Sequence, residues 1–285
     1  MKDIPIRKIK SPEIEPVFSE NFSIREVQGL LSGKDQSQDL HRHDFFFILA
    51  LKKGSGRHEI DFTSYKVSDH TLFFMRPGQV HQHTLKAGST GFLIEFKPEF
   101  YSPHDKQSGQ LLRKASKINF YQMEASRFNK IHPVLSHIFK EYAGKQEGYR
   151  EVIKANLDIL FIELIRLGKY SHPDNITPYH QEQLEKFLAL IETHIALQKQ
   201  VSQYADMLNL SVYQLNAITK ATLGKTGSEL INEYIILEAR RYLLATSSLV
   251  SQIAYHLGYE DVSYFIRFFK KHTGYSPDAF RQNFK

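Results

Sequence analysis

Two groups of residues in this chain carry chemistry in their spacing. The first is a set of histidines: His41 and His43, then His81 and His83, with His58 between the pairs. Alternate residues of a strand point to one face, so each pair sets two imidazoles side by side, and Phe45 and Phe47 continue the first face. Imidazole and phenyl rings together suit a small-molecule pocket. Imidazole nitrogens are also ligands for divalent metals. The second group lies in Asp261–His272. There Val262, Ser263, Ile266, Arg267 and Lys270 fall on one side of a helix, opposite Phe265, Phe268 and Phe269 at i, i+3, i+4. An arginine can form a bidentate pair with guanine, and Lys270, Lys271 and His272 can contact phosphate. A related helix capped by Ser211 exposes Tyr213, Gln214, Asn216, Ala217 and Lys220. Gln214 or Asn216 can pair with adenine, and Tyr213 can stack or meet a thymine methyl.

Composition removes several alternatives. The 285 residues include no cysteine, which excludes disulfides, cysteine–zinc sites, iron–sulfur clusters and thiol nucleophiles. With 41% hydrophobic and 24% charged residues the chain can bury a core. No apolar run follows Met1–Lys8 as a secretion signal would require. The most apolar stretch, Val152–Leu167, carries Lys154, Asp158, Glu163 and Arg166 and is too short to span a bilayer. A soluble cytoplasmic protein without membrane contact is expected. The formal charge of +6 invites a nucleic-acid partner. Residues 176–285, however, hold 11 Lys/Arg against 10 Asp/Glu, so local placement and not net charge supports that partner.

The positioning elements differ between the two halves. Short alternating stretches predict strands at Phe22–Val27, Asp44–Leu51, His58–Phe62, Thr71–Met75, Val80–Leu85 and Gly91–Phe96, separated by Gly29–Asp39, Lys52–Gly56, Arg76–Gly78 and Ala87–Ser89. Such spacing suggests a sandwich or small barrel. After about Ser116 the period becomes helical, with helices expected at Met123–Tyr142, Arg150–Leu167 and Pro178–Gln198. Eleven of the 16 residues in 152–167 are apolar, more than one buried face needs. That helix is expected to pack on the β domain, to form a dimer interface, or both. Gly168–Pro178 reads as a linker. The resulting division is a β domain at 1–115, a helical dimerisation or linker segment at 116–175, and an all-α domain at 176–285.

The last of these contains a repeat. Val201, Ser202, Gln203, Ala205 and Leu208 recur as Val250, Ser251, Gln252, Ala254 and Leu257, an offset of 49. After one inserted residue Leu215, Ile218, Lys220 and Gly224 match Phe265, Phe268, Lys270 and Gly274. Each copy reads as a short helix, a tight turn, a polar cap at Ser211 or Asp261, and a second helix ending at glycine. This is a helix-turn-helix design. Thr226–Thr246, free of proline, would form a helix roughly 30 Å long. That approaches the roughly 34 Å turn of B-DNA, so two recognition helices could enter successive major-groove segments on one face.

The C-terminal residues resemble the AraC family of bacterial transcription regulators. The resemblance is carried by Val201–Gly224, Ile235–Leu244 and Ser251–Arg281, above all by Ile253–Tyr259, Ser263-Tyr264-Phe265, Phe268–Lys271 and Thr273–Pro277. Ala217, Thr219, Ala221 and Leu223 depart from the family pattern in the first recognition helix, which implies fewer polar contacts to the first half-site. More loosely, Leu40–Phe45 and Arg76–His81 resemble the two cupin motifs. A metal cupin of that kind uses two histidines, a glutamate and a third histidine for iron, manganese or zinc. Here the carboxylate position falls in Phe45–Phe47, so no metal, cofactor or catalytic residue is assigned. The resemblance implies a cupin-like or jelly-roll β-barrel with trailing helices, then an all-α domain of two helix-turn-helix units. It also implies a promoter-binding activator, with RNA polymerase as a further partner and homodimerisation through helices within 123–167.

Three functions follow. The first, preferred, is a regulator whose β domain binds an unidentified small effector at His41, His43, Phe45, Phe47, His58, His81 and His83. The second is a regulator whose β domain only dimerises or binds a protein. The third is a metal-dependent cupin enzyme, disfavoured by the missing glutamate and the duplicated helix-turn-helix.

Overall fold

The computed structural model describes residues 6–7, 9, 21–101, 106–169 and 178–284. Most of the expected linker, residues 170–177, and most of the first 20 residues lie outside them. The chain divides into two compact units, Ile4–His172 and Pro173–Lys285.

The first unit opens with β1 (Ile6–Arg7), β2 (Phe22–Glu26), a short α1 (Val27–Leu31), β3 (Gln36–His43) and β4 (Phe46–Lys53). It continues through β5 (Gly56–Ile60), β6 (Thr63–Val67), β7 (Thr71–Met75), β8 (Val80–Leu85) and β9 (Thr90–Phe96). Then come α2 (Pro98–Tyr101), α3 (Lys106–Ala115), β10 (Phe120–Gln122), α4 (Ala125–Gly144) and α5 (Tyr149–Lys169). The strands form two five-stranded sheets, β1-β3-β8-β5-β6 and β10-β7-β4-β9-β2. All pairings are antiparallel except β1 with β3.

A shared core joins the sheets. Ile60, Val67 and Leu85 from the first sheet pack with Phe47, Leu49, Phe73 and Met75 from the second. The second sheet is buried on its other face too. There Ile48, Phe74, Ile94 and Phe96 meet Phe128, Leu135, Leu157, Phe161 and Leu164 of α4 and α5. Burial on both faces explains why β7, Thr-Leu-Phe-Phe-Met, is apolar without alternation. The trailing helices thus share the core of the β domain. On α5, Ile159 and Ile162 are left exposed, at 48% and 39%.

Three features depart from the sequence expectation. The run 41–47 is not one strand: it breaks at Asp44 and Phe45, so His41 and His43 lie at the end of a strand of one sheet and Phe47 is the second residue of a strand of the other. Part of the expected turn Gly29–Asp39 is helix and strand, and β6 and β10 were not anticipated. The reason is that β3 and β6 are largely solvent-facing and carry few apolar residues, while β10 is only three residues long.

The second unit runs α6 (Pro178–His194), α7 (Val201–Met207), α8 (Val212–Leu223), α9 (Gly227–Ala245), α10 (Val250–His256), α11 (Val262–Thr273) and α12 (Pro277–Asn283). The repeat is visible in its hydrogen bonds. The Leu210 N–H donates to the Ala205 carbonyl, and the Tyr259 N–H to the Ala254 carbonyl, each at 2.9 Å. Asn209 and Gly258 take the left-handed conformation that closes each turn, with φ of 55° and 74°. Ala205 and Ala254, whose carbonyls accept those two hydrogen bonds, are both buried. Gly224 and Gly274 end the second helix of each copy at φ of 69° and 81°, their N–H groups bonding to Lys220 and Lys270. The correspondence extends further than the sequence indicated. Thr226 caps α9 as Ser276 caps α12, each accepting from the N–H three residues on.

Candidate DNA-reading face and candidate effector site

On α8 the buried face is Leu215, Ile218 and Thr219, and on α11 it is Phe265 and Phe269. Phe268, expected in the core, is only half-buried and packs its ring on His272 at 4.6 Å. Thr219 occupies the place corresponding to Phe269, and its hydroxyl donates to the Asn216 carbonyl. The opposite sides carry the expected readers. Ser211, Tyr213, Gln214, Ala217 and Lys220 are exposed on the first helix, Tyr213 at 84%. Ser263, Arg267, Lys270 and Lys271 are exposed on the second, with Val262 and Ile266 half-buried beside them. Arg267 lies 3.9 Å from the carboxylate of Asp261, and both are well exposed, so the guanidinium is loosely held.

Two expected base readers have other duties. The Asn216 side-chain oxygen accepts the Gly227 N–H at 2.8 Å, tying α8 to the first turn of α9. Gln214 Oε1 accepts the Ser211 N–H at 2.8 Å, while Ser211 Oγ accepts the Gln214 N–H. That reciprocal pair is a capping box. Pairing with adenine uses a carboxamide oxygen as well as its nitrogen. Here each oxygen already holds one backbone donor, so Asn216 and Gln214 help to fix the helix with one lone pair and keep the second. Tyr213, Ala217 and Lys220 remain as the unencumbered surface of α8. Sequence reasoning missed this because Asn216 and its partner lie 11 residues apart.

In the first unit the five histidines converge. His41 and His43 come from β3, His58 from β5, and His81 and His83 from β8, three strands that neighbour one another in the order β3-β8-β5. Register sets His41 opposite His81 and His58 opposite His83. All five are buried, as are Phe45 and Phe47. His43 stacks on Phe47 at 5.5 Å with an interplanar angle of 10°, a contact between the two sheets. His81 sits in the middle: its Nε2 is 2.7 Å from His43 Nε2, and its Nδ1 is 2.8 Å from His58 Nε2. His41 Nδ1 lies 2.6 Å from the Asp39 carbonyl oxygen. A carbonyl only accepts, so that nitrogen carries the proton and His41 Nε2 presents a lone pair. Burial holds the His58 and His81 rings well below the usual imidazole range, and the neighbouring histidines add to the effect. These rings are therefore neutral near pH 7. His41, His43 and His81 bring one nitrogen each within 4.8 Å of one another, and so do His58, His81 and His83.

A concavity elsewhere in the first unit was not anticipated. A cleft of about 320 Å³ is lined by residues including Glu26, Gln28, Lys52, His132 and Ser136. Burial and the Lys52 charge lower the His132 pKa.

Two family models match the chain: an AraC-like ligand binding domain over residues 31–157 and a helix-turn-helix domain over residues 204–283. The chain belongs to the AraC family of transcription regulators. The HTH-type transcriptional activator RhaS of Escherichia coli O157:H7 is 26% identical over 250 residues, 85% of this chain and 87% of that protein. Among solved structures, fatty-acid-bound ToxT of Vibrio cholerae strain SCE256 is 20% identical, with a TM-score of 0.43 over 92% of this chain and 95% of ToxT. An AraC-type regulator of Chromobacterium violaceum is 24% identical, with a TM-score of 0.34 over 37% of this chain and 95% of its own. This AraC-family regulator joins a ligand-sensing β domain to a DNA-binding helix-turn-helix region. Among its described residues no helix is long and apolar enough to cross a membrane.

Proposed function

We propose that this regulator is a cytoplasmic, non-enzymatic activator that binds promoter DNA as a homodimer and answers to an effector held in its β domain. The observation that carries the reading is the twofold use of one turn and cap geometry on either side of α9. Each copy leaves a polar helix face open, and the 19 residues of α9 between them make a helix about 28 Å long. Arg267 is assigned to a guanine, Lys270 and Lys271 to phosphates, and Tyr213, Ala217 and Lys220 to the first half-site. Val262, Ser263 and Ile266 fill the groove beside Arg267. The domain limits fitting this reading are 1–115, 116–175 and 176–285, with the effector at the five histidines, Phe45 and Phe47. The exposed Ile159 and Ile162 on α5 support pairing through helices within 123–167. Contact with RNA polymerase follows from the activator reading.

Footprinting of the full chain on the promoter regions beside its own gene tests this. Two protected major-groove segments one helical turn apart are expected, and Arg267→Ala should relax the preference at one base pair. Protection of a single short segment, or none, would refute the two-helix reading.

A further inference from the structure

The histidine cluster specifies the effector more narrowly. We propose that the effector is one divalent d-block cation, with zinc as the type ion, held by His41, His43 and His81 and positioned by His58. The proposal rests on the reading of the β domain as a sensor.

The geometry is close to what such an ion needs. Zinc–imidazole bonds of about 2.0–2.1 Å put ligand nitrogens about 3.3 Å apart in a tetrahedral site. One nitrogen from each of the three rings already lies within 4.8 Å of the others. The His43 and His81 Nε2 atoms, now 2.7 Å apart, need to open by about 0.6 Å for 3.3 Å spacing. Inserting an organic molecule would instead require expelling rings whose centroids are 4.2–4.8 Å apart.

Tautomers favour the same arrangement. His41 presents Nε2 because its Nδ1–H is held by the Asp39 carbonyl. If His81 gives its Nε2 lone pair to the ion, its proton must sit on Nδ1. That proton then points at His58 Nε2, 2.8 Å away. A ligand histidine that donates its other N–H to a fixed partner is the usual way a metal site orients its ring. His58 is thus a positioning residue and not a ligand.

The donor set also selects the ion. Three neutral imidazoles without thiolate suit zinc, copper, iron or nickel, and not magnesium or calcium. Among the described residues the grouped donor side chains are all histidines, and Phe47 stacks on His43 with no donor to offer. The fourth position therefore falls to a hydroxide or a small anion, which offsets part of the buried charge.

The test uses the full-length chain stripped with a chelator. Cobalt(II) and zinc(II) are titrated in, with the cobalt visible spectrum and bound metal per chain as readouts. Operator affinity is measured with and without zinc. Expected are one ion per chain, a tetrahedral cobalt spectrum, and a change in operator affinity of about 5–150-fold. His41→Gln and His81→Gln should each weaken binding more than 100-fold. His58→Phe should weaken it by about 10–100-fold while keeping the cobalt spectrum tetrahedral. Circular dichroism on each variant separates ligand loss from misfolding. Binding that survives His41→Gln but not His83→Gln would overturn the assignment in favour of His58, His81 and His83. Failure of the folded parent to bind one equivalent, or binding that leaves operator affinity unchanged, would overturn the proposal outright. A stripped chain that still protects its operator leaves the regulator reading standing in either case.

Discussion

Replacing Gly258 by alanine should damage the second helix-turn-helix far more than replacing Gly224, although both glycines have the same left-handed backbone. At Gly224, φ is +69° and an added Cβ meets nothing within 4 Å. The only cost there is the left-handed conformation of an L-residue, about 1–2 kcal/mol. At Gly258, φ is +74° and the Cβ would lie 1.7 Å from the Ala196 carbonyl oxygen and 2.6 Å from Lys199 Nζ. Ordinary contact begins near 3.4 Å, so the Ala196 backbone must retreat by more than an ångström. The Lys199 ammonium, which donates to the Gly258 carbonyl at 2.8 Å, would be dislodged with it. Overpacking of this kind adds about 1–3 kcal/mol, giving about 2–5 kcal/mol in all. The assay is urea unfolding followed by far-ultraviolet dichroism, as the chain has no tryptophan. Gly258→Ala should lower the midpoint of the α-unit transition well beyond Gly224→Ala and weaken operator binding in parallel. Equal midpoints for the two variants would refute the argument that contact with Ala196, and not backbone conformation alone, fixes this glycine.

Other outcomes follow from the same contacts. Arg267→Ala should cost about 1–3 kcal/mol on the cognate operator and relax one base position in a selection experiment, whereas an unchanged logo and affinity would remove it from base reading. Lys270→Ala should weaken all DNA sequences alike and flatten the salt dependence by about one unit of slope, and a sequence-dependent loss would contradict a phosphate contact. Phe269→Ala, deleting a fully buried ring, should cost about 3–5 kcal/mol, and a loss under 1 kcal/mol in denaturant melts would show that the core there collapses to fill the space. In metal-free protein, His58 and His81 are neutral when folded but take up protons near pH 6.5 when unfolded. Below that pH the unfolded state binds more protons, so stability should fall as pH drops, by up to about 1.4 kcal/mol per pH unit for each ring, until the folded state protonates too. An unfolding midpoint flat from pH 6.5 to 5 would refute neutral burial.

The helix-turn-helix pair was legible because its determinants are local. Caps, turn residues and buried alanines lie within a few positions of one another, and duplication displayed them twice. The β domain was legible where one face alternates, as in Val80–Leu85, and illegible where exposure removed the apolar signal, as in β3. The five histidines could be named from their spacing, but their meeting around His81 depends on β8 lying between β3 and β5. Strand order of that kind is set by long-range pairing, which leaves no local trace. The diversion of Asn216 to Gly227 was hidden for a similar reason: a polar residue on an open-looking helix face gives no sign that the next element supplies its partner.

The single helix α9 between the two DNA-reading units makes distance and angle inseparable. Each residue inserted into it would advance the second unit by about 1.5 Å and also rotate it by about 100°. Under the proposed reading, an insertion of one or two residues would turn Arg267 out of step with Tyr213 on the operator. Three or four would restore the facing but overshoot by about 5 Å, more than the rise of one base pair. The length of α9 can therefore drift only in whole helical turns, with the operator spacing changing in step, so this segment should tolerate substitution along its exposed side but almost no change in length.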